Sequence, residues 1–457
     1  MDEIILLAER ITALFTEKNY TEIRSLLAGE HPADIALLLQ ELPEEQASMA
    51  FRLLPKELGA EVFVNMESDE QAYLLKKLSD SELRAMMDEL YLDDAADLID
   101  EMPANVVSRI LAQTDPETRK ALNNLLNYPE DSAGSLMTTE YVRLGQEMTV
   151  AQAFDKIRQT GVDKETIYTC YVTTPERHLV GVVSVRDMLL SAPEATIRDV
   201  MQTNVIFVET TQDKEETAHT MSHYDLIAIP VVDKEHRLVG IVTVDDAIDV
   251  LQEEATEDME LMAAMTPSDK PYLRTGVWET VKSRIPWLML LMLSATFTGI
   301  VISSFEDSLA ACSVLMGFMP MLMGTGGNCG NQSSVAVIRS LSLDEIDFSD
   351  LFRVVWKEIR VAVVCGILLS IINFVKLLIV DRWLMGNPEL TVMVALVICL
   401  TLIFTVFCAK TVGCLLPLLA EKVGLDPAVM AAPFITTIVD VLSLLIYFGF
   451  ASAMLGL

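Results

Sequence analysis

The chain has few of the residues that build reactive or disulfide-bonded sites. It has seven cysteines in 457 residues, and only Cys170 precedes residue 270. No two form a CxxC pair, which argues against a zinc ribbon or a thioredoxin-type redox motif. The other six (Cys312, Cys329, Cys365, Cys399, Cys408 and Cys414) sit in apolar sequence and read as small hydrophobes. All five histidines (His31, His178, His219, His223 and His236) precede residue 270, with no nucleophile–base pattern around them. An enzyme is therefore the class with least support. Basic residues are scarce too: 33 Lys and Arg against 66 Asp and Glu leave a net charge of −33. Such a chain repels phosphate backbones, so no nucleic-acid partner is expected. The opening MDEIILLAERITALF has early acids and a helical pattern, not the pattern of a cleavable leader.

What charge there is falls unevenly. Residues 1–270 carry 53 acids and 22 bases, whereas residues 271–457 carry 13 and 11. The first part reads as soluble, its acidity serving either cations or plain solubility. The second reads as a membrane domain.

Residues 31–126 divide into eight twelve-residue blocks, from HPADIALLLQEL to DPETRKALNNLL. Most open on Pro, Ser or Asp, residues that start helices, and seven end in Leu or Met. Each block has room for one short helix and a turn. Such units bury apolar surface by stacking, so a helical superhelix is expected rather than a plain bundle.

A second duplication follows. HLVGVVSVRDML (178–189) and RLVGIVTVDDAI (237–248) align without gaps, each preceded by a buried-strand run at 167–174 or 226–233. Both carry Gly-x-x-Ser/Thr-x-x-Asp, through Ser184 and Asp187 and through Thr243 and Asp246. This resembles a pair of CBS domains. That resemblance implies an optional adenine-nucleotide (ATP) site at Ser184, Asp187 and Thr243, with a structural or metal role for the aspartates equally open.

Residues 245–265 lack Gly and Pro and read as one helix. At 100° per residue, Asp246, Asp249, Glu253, Glu257 and Glu260 form one stripe, with Glu254 and Asp258 on a second stripe beside it. Like charges at this spacing repel, so the helix needs either solvent or a hard divalent cation.

Five apolar runs are long enough to span a bilayer: about 286–303, 308–326, 359–380, 390–419 and 429–456. Lys282, Arg284, Arg339, Arg353 and Lys357 put the acidic domains in the cytosol, and five spans then put the C-terminus outside. The stretch GTGGNCGNQSS (324–334) has no preceding strand and no Gly-Lys-Ser/Thr, so it is no nucleotide loop. Its glycines either unwind the chain around an ion, with Asn328 and Asn331 facing it, or let helices pack closely. Asp440 stands inside the last run. On a helix it shares a stripe with Pro433, Thr436, Thr437, Ser443 and Tyr447. An aspartate at mid-bilayer costs roughly 2.5–3.5 kcal/mol, so it should either serve a transport path or pair with Lys410 in the neighbouring span.

Taken in order, these features resemble the MgtE family of magnesium channels over essentially the whole chain. GTGGNCGNQS (324–333), EEATED (253–258) and GLDPAVMAAPFITTIVD (424–440) carry the resemblance. It implies a homodimer with a pore on its two-fold axis, in which Asp440 holds a hydrated Mg²⁺. It also implies that cytosolic Mg²⁺ closes the pore. The helix after the CBS pair would act as a plug through Asp246, Asp249, Glu254, Glu257 and Asp258, with Asp426 as its membrane-side partner. Glu61, Asp93 and Asp97 would be sensor acids facing Asp225 of the CBS pair. Ala432 departs from the family pattern, which admits Asn before Pro433. The expected architecture is therefore a helical repeat domain (1–130), two α/β CBS domains (131–196 and 197–252), a plug helix and connector (253–280) and a five-helix membrane domain (281–457). Rival readings are transport of another divalent cation such as Co²⁺, and a membrane-anchored nucleotide sensor without a pore.

Overall fold

The computed structural model describes residues 2–456 apart from 269–271, 273–274, 307–311, 344 and 431. The chain forms two compact units, Met1–Leu251 and Gln252–Leu457.

The first unit opens with helices α1 (Asp2–Glu17) and α2 (Tyr20–Leu27). Eight more follow: α3 (Pro32–Gln40), α4 (Glu44–Leu53), α5 (Lys56–Val64), α6 (Ser68–Lys77), α7 (Asp80–Met87), α8 (Leu92–Glu101), α9 (Ala104–Gln113) and α10 (Pro116–Leu125). Their first residues recur every twelve positions, one helix to each sequence block. Pro32 sits in the first turn of α3, and Ser79 caps α7 with Glu82 in a reciprocal capping box. Helices two apart in sequence pack together, α3 on α5, α5 on α7 and α7 on α9. Ile35, Phe63, Leu75, Leu83 and Ile110 are buried between them.

After the short helix α11 (Ala133–Leu136), two similar halves follow. The first contains β1 (Tyr141–Gly145), α12 (Val150–Thr160), β2 (Thr166–Thr173), β3 (Leu179–Ser184), α13 (Val185–Leu190) and α14 (Ile197–Val200). The second contains β4 (Val208–Glu209), α15 (Lys214–His223), β5 (Ala228–Val232), β6 (Leu238–Thr243) and α16 (Val244–Met262). In each half the middle strand pairs parallel with the first and antiparallel with the third. Bridges His178–Arg237 and Thr138–Ile241 tie the halves together.

The second unit is helical: α17 (Val277–Ser304), α18 (Met319–Ser342), α19 (Leu351–Lys376), α20 (Val392–Lys422) and α21 (Ala432–Leu455). Among the described residues, four helical stretches are long and apolar enough to cross a membrane: Val277–Ser304, Phe348–Leu384, Val392–Lys422 and Pro433–Leu455. The second of five expected runs is the one that differs. Residues 308–311 of it lie outside the described residues, and residues 313–318 form a 3₁₀ turn. The long helix there is α18, which begins at Met319 and runs through the Gly/Asn stretch. It packs on α20 and α21.

The stretch 324–334 is thus continuous helix, and Gly326, Gly327 and Gly330 serve packing. A Cβ on Gly413 of α20 would lie 2.2 Å from the carbonyl oxygen of Gly330 on α18. A Cβ on Gly326 would lie 2.7 Å from Thr405 Cγ2. The two backbones touch because neither helix carries a side chain at that contact.

Candidate functional site

The second unit presents a polar face between α18 and α21. Pro433 lies in the first turn of α21, where a proline fits without breaking a helix. Ile435, Val439, Leu444, Phe448 and Ala451 turn inward and are buried. Thr436 and Asp440, four apart, lie on the other side; Thr436 is exposed and Asp440 half-buried. Thr436 abuts Gly327 of α18, where an added Cβ would stand 3.3 Å from its Cγ2. One residue on, Asn328 is exposed; Asn331 is half-buried, and its Oδ1 has no hydrogen-bond partner among the described residues.

The polar stripe on α21 is narrower than expected. Ser443 is buried and donates to the carbonyl of Val439 at 2.6 Å. Tyr447 is buried too and donates to the carbonyl of Leu315 at 3.1 Å. Thr437 lies 3.2 Å from Ser294 of α17. The alternative that Lys410 neutralises Asp440 fails: Lys410 Nζ lies 3.6 Å from Glu358 Oε2 of α19. Among the described residues Asp440 makes no ion pair.

The C-terminal half of α16 belongs to the same unit. Leu261 packs with Ile338 of α18 and with Ala428 in the turn before α21. Next to this contact, Ser342 Oγ donates to Asp258 Oδ2 at 2.9 Å. Burial first, then the nearby charge of Asp426, raises the Asp258 carboxyl above its ordinary range, against the lowering effect of the Ser342 hydrogen bond. Asp426 itself accepts from the Ala428 amide at 2.7 Å. Two of the expected plug-site carboxylates, Asp258 and Asp426, are therefore neighbours. Glu254 is half-buried and Glu257 exposed.

In the first unit, acids from four segments converge: Asp93 and Asp94 on α8, Glu140 before β1, Glu165 before β2, and Asp245 and Asp246 on α16. Asp93 is 7% exposed, and its Oδ1 lacks a hydrogen-bond partner among the described residues. Burial, then mutual repulsion, pushes Asp93, Asp94 and Asp246 up to about 7 and Glu165 up to about 8. Glu61 acts with the same acids on Tyr91. Asp97 and Asp225 are exposed. Asp249 is exposed and is raised by partial burial and by Asp245. Sequence reasoning missed Asp94, Glu140, Glu165 and Asp245. Asp94 and Asp245 adjoin acids already chosen, but Glu140 and Glu165 meet the others only through strand pairing. Among the described residues, no three His, Cys, Asp or Glu side chains form a ready metal ligand set.

The repeated signature residues act first as caps. Ser184 Oγ accepts from the Asp187 amide at 3.0 Å and donates to its carboxylate at 2.7 Å, starting α13. Thr243 donates to Asp246 in the same way at the start of α16.

Residues 319–450 match the family described as "Divalent cation transporter", residues 30–131 the MgtE intracellular N domain, and residues 133–194 and 197–253 the CBS domain. The magnesium transporter MgtE of Thermus thermophilus is 38% identical over 98% of each chain. The chain belongs to the MgtE family. MgtE of Bacillus subtilis is 36% identical over 99% of this chain and 97% of its own. A solved structure of the cytosolic domain of the Mg²⁺ channel MgtE in complex with ATP is 40% identical, covers 53% of this chain and 99% of that one, and superposes with a TM-score of 0.51. The soluble part of a magnesium transporter is 32% identical, with a TM-score of 0.52 over 56% of this chain. As an MgtE member the chain is a multi-pass membrane protein with a helical repeat domain and a CBS pair ahead of its membrane helices.

Proposed function

We propose that this chain conducts Mg²⁺ across the cell membrane as a homodimer, along a path lined by Asp440. The observation that carries this reading is the polar face of the membrane unit. On it Asp440 makes no ion pair among the described residues, and Lys410 lies beside Glu358 instead. A charge left open at membrane depth calls for a partner from outside its own chain. A second Asp440 across a two-fold axis, with a hydrated Mg²⁺ between, meets that need. Mg²⁺ sheds water reluctantly, and a wide oxygen-lined site accepts it with its shell intact. The membrane unit contains no histidine, which favours a hard cation over a soft one.

Control by cytosolic Mg²⁺ fits the acids elsewhere. Asp93, Asp246 and their neighbours are crowded carboxyls that a divalent cation would bind in exchange for their protons, and Asp258 and Asp426 are a further close pair of acids for a cation. Each site would bias the chain toward a closed state, through the ligand's preference for it. Glu61, Asp97, Asp225, Asp249, Glu254 and Glu257 would add to this acidic field. The N-terminal domains lie in the cytosol and the C-terminus outside in this reading. The relative solved with ATP supports an adenine-nucleotide site at Ser184, Asp187 and Thr243 as a further input.

Flux of Mg²⁺ into liposomes holding the purified protein tests the function. Wild type should pass Mg²⁺ and Asp440→Ala should not. Full flux in Asp440→Ala would refute the assignment of the path, and would favour a nucleotide sensor without a pore.

A further inference from the structure

A buried ion pair lies behind the polar face and is not part of it. Lys410 of α20 is 5% exposed, ~18 Å along the helix from Lys422. Its Nζ donates to Ser333 Oγ of α18 at 3.1 Å, and the Ser333 hydroxyl donates to Glu358 Oε2 of α19 at 2.6 Å. The ammonium lies 3.6 Å from that same carboxylate oxygen. Three helices therefore meet at one serine hydroxyl. Stability alone is a poor reason for such a pair, because well-packed apolar replacements of buried ion pairs are often neutral or stabilising. A buried polar contact does restrict a helix to one rotation and register, since any other leaves charges unpaired.

The helix so restricted is the one that carries Asn328 and Asn331. Ser333 lies two residues beyond Asn331 and five beyond Asn328, and α18 is continuous through all three. The contact of Gly330 with Gly413 sets how closely α18 approaches α20. Two smooth glycine surfaces in contact do little to fix rotation. The buried hydroxyls nearby, Ser334 Oγ and Thr405 Oγ1, have no hydrogen-bond partner among the described residues. The Ser333 hydroxyl, bonded to both neighbouring helices, adds a directional polar constraint to that packing.

We propose that Lys410 and Glu358 are positioning residues for ion selection. Through Ser333 they hold α18 at the rotation in which Gly327, next to Asn328, meets Thr436 of the helix that carries Asp440. The inference rests on the proposed function of that face. A turn of α18 would move two amide side chains relative to Asp440 and change which hydrated divalent ion fits.

The test measures Mg²⁺ and Co²⁺ flux in liposomes and the thermal midpoint in detergent, on the full-length protein. Three variants are needed: Ser333→Ala, the double Lys410→Met with Glu358→Met, and Asp440→Ala. Ser333→Ala should keep the wild-type midpoint and change the Mg²⁺ to Co²⁺ flux ratio several-fold. The double variant, which leaves no unpaired charge, should do the same. A role in folding alone would scale both fluxes together and leave the ratio unchanged. A wild-type ratio in Ser333→Ala overturns the proposal, whether or not the double variant folds. If Asp440→Ala conducts normally, the path itself is misassigned. If Asp440→Ala is inactive while the other variants keep the wild-type ratio, only the positioning role falls.

Discussion

At the scale of single residues, two glycines in the membrane unit stand in opposite surroundings. Gly413 has no room for a side chain, since a Cβ there would meet the Gly330 carbonyl at 2.2 Å. Gly413→Ala should separate α18 from α20 and destabilise the fold by about 1–3 kcal/mol, as overpacking does. A fall in the thermal midpoint in detergent reports it, and an unchanged midpoint would contradict the contact. Gly324, four residues before Asn328, has nothing within 4 Å of an added Cβ, and Gly324→Ala should leave the midpoint alone. Asp440 was legible in the sequence because a lone carboxylate stands out in an apolar run. Its separation from Lys410 was not legible, because only the packing of α19 brings Glu358 to that lysine.

At the scale of elements, the twelve-residue repeat came through helix for helix, since block length and starting residue both constrain where a short helix begins. The Gly/Asn stretch did not. Four glycines in eleven residues argue against a helix on propensity. Tertiary packing reverses this, because glycine lets α18 lie directly on α20. The connecting helix carries a prediction of its own. Asp258 is tied to Ser342 and lies near Asp426. Replacing Asp249, Glu257 and Asp258 together with neutral residues should leave Mg²⁺ currents that internal Mg²⁺ no longer blocks. Block that persists unchanged in patch recordings would refute a role for this helix in closing the path.

At the scale of the whole molecule, a few of the many acids of the first unit are buried together. Asp93, Asp94, Asp246 and Glu165 keep their protons in the folded unit up to about pH 7 to 8, whereas the ordinary values are 3.8 and 4.5. Between those limits the folded state binds more protons than the unfolded one, so stability falls as pH rises through that window. In chelator, the unfolding midpoint of the first unit within the full chain should drop between about pH 4 and pH 8. Mg²⁺ should flatten the drop, and its binding near pH 7 should release protons, read by calorimetry in buffers of different ionisation enthalpy. Stability that rises over this range would contradict the buried cluster. The acidity of this unit was plain from composition. The membership of Glu140 and Glu165 was not, because strand pairing brings them to α8 from distant points in the chain.

The central claim is that Asp440 acts as one of a pair, which mixed dimers test most directly. Wild-type and Asp440→Asn chains carrying different tags can be co-expressed, and dimers with one of each isolated and placed in liposomes. A shared site predicts that the mixed dimer needs more Mg²⁺ for half-maximal flux than wild type does. A mixed dimer with half the wild-type flux and the wild-type half-saturation would mean that each chain conducts alone, contrary to this account.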